Sequence, residues 1–124
     1  MTTLTKAEEK IMKILWEIKR GFIKDIIEQY PDPKPPYNSV STIVRVLVQK
    51  NIVDYKAYGK SYQYYPLISK EEYRRGQLGR LVSEYYNNSL KQVVNFFSES
   101  KKLDEKELDE VMRMLEDLKA KKDD

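Results

Sequence analysis

Hydrophobic residues recur every three or four positions in the first third of the chain, a pattern that predicts short amphipathic helices. Thr5 and Glu8 have the spacing of a capping box at the start of the first helix, and Arg20-Gly21 is expected to end it. A second helix is predicted over residues 23–30. Pro31 stops this helix, because a proline cannot continue the backbone hydrogen-bond ladder.

A third helix is predicted to begin at Asn38 or Ser39, both of which are good capping residues, and to run to about Lys50. Its many β-branched residues make a strand the competing interpretation. The length of the segment and the helical spacing of its apolar positions favour the helix. Asn51 follows the last turn and is suited to the left-handed conformation that commonly ends a helix.

From Ile52 the hydrophobic period shortens toward two, which predicts strands. Residues 52–58 and 61–66 are rich in aromatic side chains, and Gly59-Lys60 between them suits a tight turn. The two segments are therefore expected to form a β-hairpin. Three short helices followed by a hairpin is the element order of a winged helix.

After Pro66 the helical period returns in three segments. Ser69 and Glu72 form a second capping box, residues 87–89 interrupt the helical pattern, and Asp104 begins the last segment. Amphipathic helices this short cannot bury their apolar faces alone. The predicted fold class is mainly α with a small β-hairpin: a winged helix-turn-helix domain over residues 1–67, then a three-helix dimerisation region over residues 68–124.

Composition excludes several classes of function. The 124 residues include no cysteine and no histidine, which removes thiolate nucleophiles, the usual neutral-pH base and the commonest ligands of transition metals. The acidic residues are scattered over predicted helix surfaces, so a carboxylate enzyme is set aside. We expect neither an enzyme, nor a cofactor, nor a metal site. The chain has no long apolar run and no signal-peptide pattern at its start, and we expect a cytoplasmic protein.

Charge is distributed unevenly along the chain. Residues 1–66 hold 11 Lys and Arg against 7 Asp and Glu, whereas residues 67–124 hold 12 against 13. Seven of the ten tyrosines lie between positions 30 and 65. A basic, aromatic half joined to a charge-balanced amphipathic half suggests an anion-binding module with an oligomerisation module attached. The alternative is a single helical domain whose charges only solvate its surface.

The residues that carry a family resemblance are spread over almost the whole chain. They are the segment from Thr5 to Trp16 and residues 39–47, 49–53 and 59–67. Together they resemble the penicillinase-repressor (BlaI/MecI/CopY) family of bacterial transcription regulators. The resemblance implies a homodimer in which each N-terminal winged helix binds double-stranded DNA and the C-terminal helices interlock.

The chain also departs from that family. Arg45 is followed by Val46 where a basic residue is usual, Asn51 replaces the glycine that ends the third helix, and Lys60 replaces an arginine in the wing. These changes concern the operator sequence rather than the fold. The cysteine motif of the copper-responsive branch is missing, so metal sensing is not expected.

If the third helix lies in the major groove, its outward polar residues are candidates for contacts with bases or phosphates. Arg45 suits a bidentate contact with guanine. Lysines and tyrosines near the hairpin tip are candidates for phosphate or minor-groove contacts, while Tyr55, Tyr64 and Tyr65 are expected to pack within the hairpin and Trp16 within the core. The alternative is a solvated surface. The DNA-binding candidates are Ser39, Ser41, Thr42, Arg45, Gln49, Lys56, Tyr58, Lys60 and Tyr62.

The apolar stripe of the C-terminal helices predicts either packing within one chain or a dimer interface. The small size of this region favours the interface, because three isolated helices would expose much apolar surface. Two winged helices held in this way would meet a palindromic operator. The interface candidates are Tyr73, Leu81, Tyr85, Leu90, Val94, Phe97, Met112 and Leu115.

One further site follows only from the resemblance. Family members that respond to β-lactams are inactivated when a membrane-bound sensor protease triggers cleavage of an Asn-Phe bond in the helix before the last one, and Asn95-Phe96 matches that place. The alternative is ordinary helix packing. The sequence thus predicts a dimeric transcriptional repressor that binds double-stranded DNA and is relieved by proteolysis. The alternative function is a winged-helix protein-interaction module without specific DNA binding.

Overall fold

The computed structural model describes residues 3–100 and 104–122, and the chain divides into two compact units between Leu78 and Gly79. The elements are α1 Lys6–Ile18, α2 Ile23–Glu28, α3 Tyr37–Gln49, β1 Val53–Tyr58, β2 Ser61–Pro66, α4 Lys70–Tyr86, α5 Leu90–Ser100 and α6 Glu105–Lys122. This order confirms the predicted fold class, which is mainly α with a winged helix at its start.

The first helix begins as predicted. The Thr5 hydroxyl accepts the backbone N–H of Glu8 at 3.1 Å, and the Glu8 carboxylate accepts the backbone N–H of Thr5 at 2.8 Å. Its end differs from the prediction, because α1 stops at Ile18 and the left-handed residue is Lys19, with φ 74°. Gly21 therefore has another role than ending the helix.

The second and third helices differ from the prediction at one end each. Helix α2 stops at Glu28 rather than at Tyr30. Helix α3 is a helix rather than a strand, but the predicted caps are wrong: it begins at Tyr37, after Pro36, without a side-chain capping bond. A proline's fixed φ suits the residue that leads into a helix. Asn51 has φ 62°, as expected for the residue after this helix.

The core of the first unit lies where α1, α2 and α3 meet the base of the hairpin. Its fully buried side chains include Ile11, Met12 and Leu15 of α1 and Val44 and Leu47 of α3. Trp16 was expected in this core, but it is only partly buried and packs against the core's edge. Its indole N–H donates to the carbonyl of Ile68 at 2.9 Å.

The hairpin pairs Val53 with Pro66 at its base and Tyr58 with Ser61 at its tip, and Gly59 closes the turn with φ 64°. Gly21 forms an isolated β-bridge with Tyr64 of β2, because the two backbones exchange hydrogen bonds of 2.9 and 2.8 Å. The segment between α1 and α2 therefore fixes the hairpin to the helices.

The second unit contains the end of α4 and helices α5 and α6. Asn87 and Asn88, both at positive φ, separate α4 from α5 as predicted. No described residue of α5 or α6 is buried within the chain. The predicted domain boundary after residue 67 stays a prediction; residues 1 and 124, where the two predicted domains start and finish, lie outside the described residues. Within the described ranges, no helix is long and apolar enough to cross a bilayer.

Candidate nucleic-acid interface

The outward face of α3 carries four of the predicted DNA-binding residues. Ser39, Thr42, Arg45 and Gln49 are all exposed, and their spacing of three or four positions places them on one side of the helix. The Thr42 hydroxyl donates to the carbonyl of Asn38 at 2.8 Å, so only its lone pairs remain for a ligand. The face thus offers one guanidinium, one amide and two hydroxyls.

Ser41 does not belong to this face. It is buried, with 9% of its surface exposed, because it lies next to Val40 on the side of α3 that meets the rest of the unit. The expectation that Ser41 reaches DNA alongside Arg45 on the outward face therefore needs correction. Ser41 instead lines a cleft between α3 and the hairpin.

The hairpin tip carries the other four predicted residues. The Lys56 ammonium lies 5.4 Å from the centre of the Tyr58 ring, and both side chains are exposed. The Tyr62 ring stacks on Tyr55 at 4.4 Å and is 44% exposed. Lys60 is exposed in the turn. The tyrosines of the two strands therefore lie beside the positively charged side chains of the hairpin tip.

Aromatic contacts also confirm that Tyr55 and Tyr64 pack within the hairpin. Their ring centres are 5.9 Å apart in an edge-to-face arrangement. Burial raises the pKa of the Tyr64 hydroxyl, and the nearby positive charge of Arg45 acts in the opposite direction. Arg45 and Tyr64 also line the same cleft.

A cleft of about 520 Å³ lies between α2, α3 and the hairpin. Three of its lining residues are cationic and none is acidic. Lys24 and Tyr37 were not predicted as site residues. Because the first helix of a helix-turn-helix crosses the DNA backbone, an exposed lysine on α2 was the signal that could have identified Lys24. The lining consists of Phe22, Ile23, Lys24, Tyr37, Ser41, Arg45, Tyr58, Lys60, Ser61, Tyr62 and Tyr64.

An ion pair holds the C-terminal end of α3. The Lys50 ammonium donates to both carboxylate oxygens of Glu8, at 2.9 and 2.8 Å, and Glu8 is only 4% exposed. Burial raises the pKa of the Glu8 carboxyl, but hydrogen bonds from Lys50 and Thr5 lower it by more, so this pKa lies below its ordinary value. Glu8 therefore joins the start of α1 to the end of α3, the helix that carries the candidate DNA-binding face.

Seven of the eight dimer-interface candidates are solvent-exposed in the chain, between 40% and 74%. They are Leu81, Tyr85, Leu90, Val94, Phe97, Met112 and Leu115. Five more large apolar side chains that were not predicted at the interface are also exposed, between 38% and 63%, and extend the same helical stripes. These are Leu78, Phe96, Val111, Met114 and Leu118.

Tyr73 is the exception and requires a correction. It is 8% exposed, its hydroxyl donates to a carboxylate oxygen of Glu9 at 2.7 Å, and its ring lies 5.5 Å from that of Trp16. Its apolar surface is used within the first unit, because the first turn of α4 packs on α1. Tyr73 is thus unsuited to an interface with another chain.

The Asn95-Phe96 bond lies inside α5, and both residues are exposed. Phe96 contacts the rings of Tyr86, at 6.4 Å, and Phe97, at 5.3 Å. The bond is therefore at the surface of the chain but within a helix.

The family model described as penicillinase repressor matches residues 4–117. The chain belongs to this family. It is similar to the methicillin resistance regulatory protein MecI of Staphylococcus aureus (strain N315), with 25% identity over 113 residues, covering 90% of this chain and 92% of MecI. It is also similar to the penicillinase repressor of Bacillus licheniformis, with 23% identity over 124 residues, 96% of this chain and 94% of that protein.

A solved structure described as the CopR repressor has 23% identity to this chain, covers 55% of it and 100% of its own length, and gives a TM-score of 0.45. Membership of the penicillinase repressor family confirms the prediction of a transcriptional repressor that is not an enzyme. Across residues 3–100 and 104–122, no cluster of three Asp or Glu residues is arranged to hold a metal ion.

Proposed function

We propose that this member of the penicillinase repressor family binds double-stranded DNA in a sequence-specific way and acts as a homodimer on a palindromic operator. One observation carries the proposal: the exposed polar face of α3 lies beside a basic hairpin and a cleft without acidic residues. A helix with such a face fits the major groove, where base edges present distinct donors and acceptors.

The residues of this interface have different tasks in the proposal. Arg45 donates two hydrogen bonds to one guanine, and Ser39, Thr42 and Gln49 contact neighbouring bases or phosphates. Lys56 and Lys60 at the hairpin tip contact the phosphate backbone, which positions the protein without reading sequence.

The homodimer is proposed from the surface of the second unit. Neither α5 nor α6 has a buried residue within the described chain, although both carry apolar side chains at helical spacing. Exposed apolar stripes of this extent are unfavourable in water, and a second copy of the chain offers a self-complementary cover. A two-fold dimer then matches a DNA site with two inverted halves.

Selection from a random duplex library tests sequence-specific binding directly. We expect the recovered DNA to contain two inverted half-sites, with centres about one helical turn or a small multiple of it apart. Arg45→Ala should weaken binding to that duplex by ~1 to 3 kcal/mol and relax the base preference at one position in each half-site. If the protein retains no duplex even at low salt, the protein-interaction module becomes the better explanation.

We also propose that cleavage between Asn95 and Phe96 relieves repression in a β-lactam-type response. The bond is exposed, and the helix that contains it has no buried residue to oppose local opening. Coexpression with a membrane-bound sensor protease and addition of a β-lactam, followed by mass spectrometry, should yield two fragments separated at this bond. Asn95→Ala should abolish the fragments, and an uncleaved wild-type chain under these conditions would contradict the proposal.

A further inference from the structure

We propose that the cleft between α2, α3 and the hairpin seats one phosphodiester group of the DNA backbone, held by Lys24 and Lys60. This inference rests on the proposed function and extends it to α2, from which no residue was predicted to touch DNA. It assigns Lys24 a contact that positions the protein on the duplex, separate from the base contact of Arg45.

The electrostatics of the cleft favour an anion. Lys24, Arg45 and Lys60 line it, and no described residue forms a salt bridge with any of the three. Asp25, the acid that follows Lys24, accepts the backbone N–H of Phe22 at 2.9 Å and does not line the cleft. The positive charges are thus not neutralised by a neighbour, and a phosphate that enters displaces only mobile counterions.

The two lysines come from elements that are held together. The backbone bridge between Gly21 and Tyr64 joins the start of α2 to strand β2, and the Phe22 ring meets the Tyr58 ring at 6.0 Å. Lys24 follows Phe22 closely, and Lys60 follows Tyr58 in the hairpin turn. The backbone positions that carry the two lysines are therefore held together before DNA arrives, which lowers the cost of bringing both side chains to one phosphate.

The shape and the neutral donors of the cleft also suit a backbone segment. Its volume of about 520 Å³ exceeds what a single phosphate needs and leaves room for the adjoining sugars. Tyr37, which is 58% exposed at the first turn of α3, and Ser61 offer hydroxyls to phosphate oxygens. The cleft adjoins α3. When α3 occupies the major groove, the DNA strand that borders this groove therefore passes the opening of the cleft.

Fluorescence anisotropy titrations of the full chain test the proposal, with the duplex selected above and a scrambled duplex, each over a range of salt concentrations. Lys24→Gln should lower the affinity for both duplexes by the same factor, about threefold to tenfold, and reduce the slope of log K against log salt by about 1. Lys6→Gln removes the same charge from α1, outside the cleft, and should leave the slope unchanged. Arg45→Ala should instead weaken mainly the selected duplex.

The outcomes separate this inference from the proposed function. The phosphate contact of Lys24 would be refuted if Lys24→Gln kept the wild-type slope of log K against log salt, or if it lost affinity only for the selected duplex. Neither result would contradict sequence-specific binding. A loss as large in Lys6→Gln would also refute the phosphate contact, because net charge alone would then explain the effect. Tyr37→Phe gives a second measurement. A weaker affinity for both duplexes supports contact between the cleft and a backbone phosphate.

Discussion

Glu8 is a buried charged residue of the first unit. Its carboxylate takes part in the capping box of α1 and in the ion pair with Lys50, immediately after α3. A buried carboxylate stabilises the fold only while all of its hydrogen-bonding and charge partners are present. Without a partner, the full free-energy cost of removing the carboxylate from water remains. One side chain thus couples the start of the chain to the orientation of the helix proposed to read DNA.

Glu8→Gln should lower the free energy of unfolding by about 1 to 3 kcal/mol at neutral pH, because the charge partner of Lys50 is removed. The pKa of Glu8 is lower in the folded chain than its ordinary value of 4.5. Its contribution is therefore fully present above that value and is lost as pH falls through the lower folded pKa. Urea unfolding of both proteins between pH 7 and pH 3 should show the gap narrowing below about pH 4.5.

The matched control is Glu17→Gln, which alters an exposed carboxylate of the same helix without a salt bridge among the described residues. It should change stability by less than about 0.5 kcal/mol. If the difference in unfolding free energy between the wild type and Glu8→Gln stays constant with pH, the ion pair does not make stability depend on pH.

At the scale of elements, one backbone bridge joins the hairpin to the segment between α1 and α2. Gly21 makes this bridge, and its surroundings explain why no side chain is present there. A Cβ atom at this position would lie 2.8 Å from Cδ1 of Ile18 and 3.2 Å from Cβ of Asp25. The first contact is with a flexible side-chain end, but the second is with an atom close to the α2 backbone.

Gly21→Ala should therefore destabilise the first unit by about 1 to 3 kcal/mol, as a side chain forced into a filled space does. Amide hydrogen exchange should show faster exchange at the N–H groups of Gly21 and Tyr64, which form the bridge. Gly76→Ala is the control, because a Cβ atom there meets nothing within 4 Å. This control should stabilise α4 by up to about 1 kcal/mol. Equal effects of the two substitutions would argue against the close approach.

The elements that the sequence predicted well are those set by local interactions. The capping boxes of α1 and α4 join residues three positions apart, so Thr5 with Glu8 and Ser69 with Glu72 could be identified from spacing alone. The start of α3 was missed because Pro36 leads into it through its fixed φ and without a side-chain bond, which leaves no capping residue to recognise.

The parts that could not be predicted depend on contacts between distant positions. Tyr73 was assigned to a dimer interface because it continues an apolar stripe, but its partner Glu9 lies 64 positions earlier in the chain. Lys24 became a site residue only through the cleft that it shares with Lys60. Helical period indicates which side of a helix is apolar, but not which neighbour covers that side.

At the scale of the whole molecule, the second unit has apolar surface for which the described chain supplies no cover. If a second copy covers it, a charge in the stripe should dissociate the dimer. Leu115→Lys should lower the mass measured by light scattering toward that of one chain, since burying an unpaired ammonium is costly. Glu116→Lys, at an exposed neighbouring position, should leave the mass unchanged. A wild-type protein that is already monomeric at micromolar concentration would refute the dimer.

The lack of buried residues in α5 and α6 has a consequence for how occupancy of an operator is lost. The core of the first unit contains no side chain from these helices, so a break within α5 leaves that core complete. In the proposed homodimer, such a break removes the tether that gives the second winged helix a high effective concentration once the first is bound, a gain of roughly 10² to 10⁴ in avidity. We expect a cleaved chain to keep a folded winged helix and its half-site affinity, yet to leave the full operator.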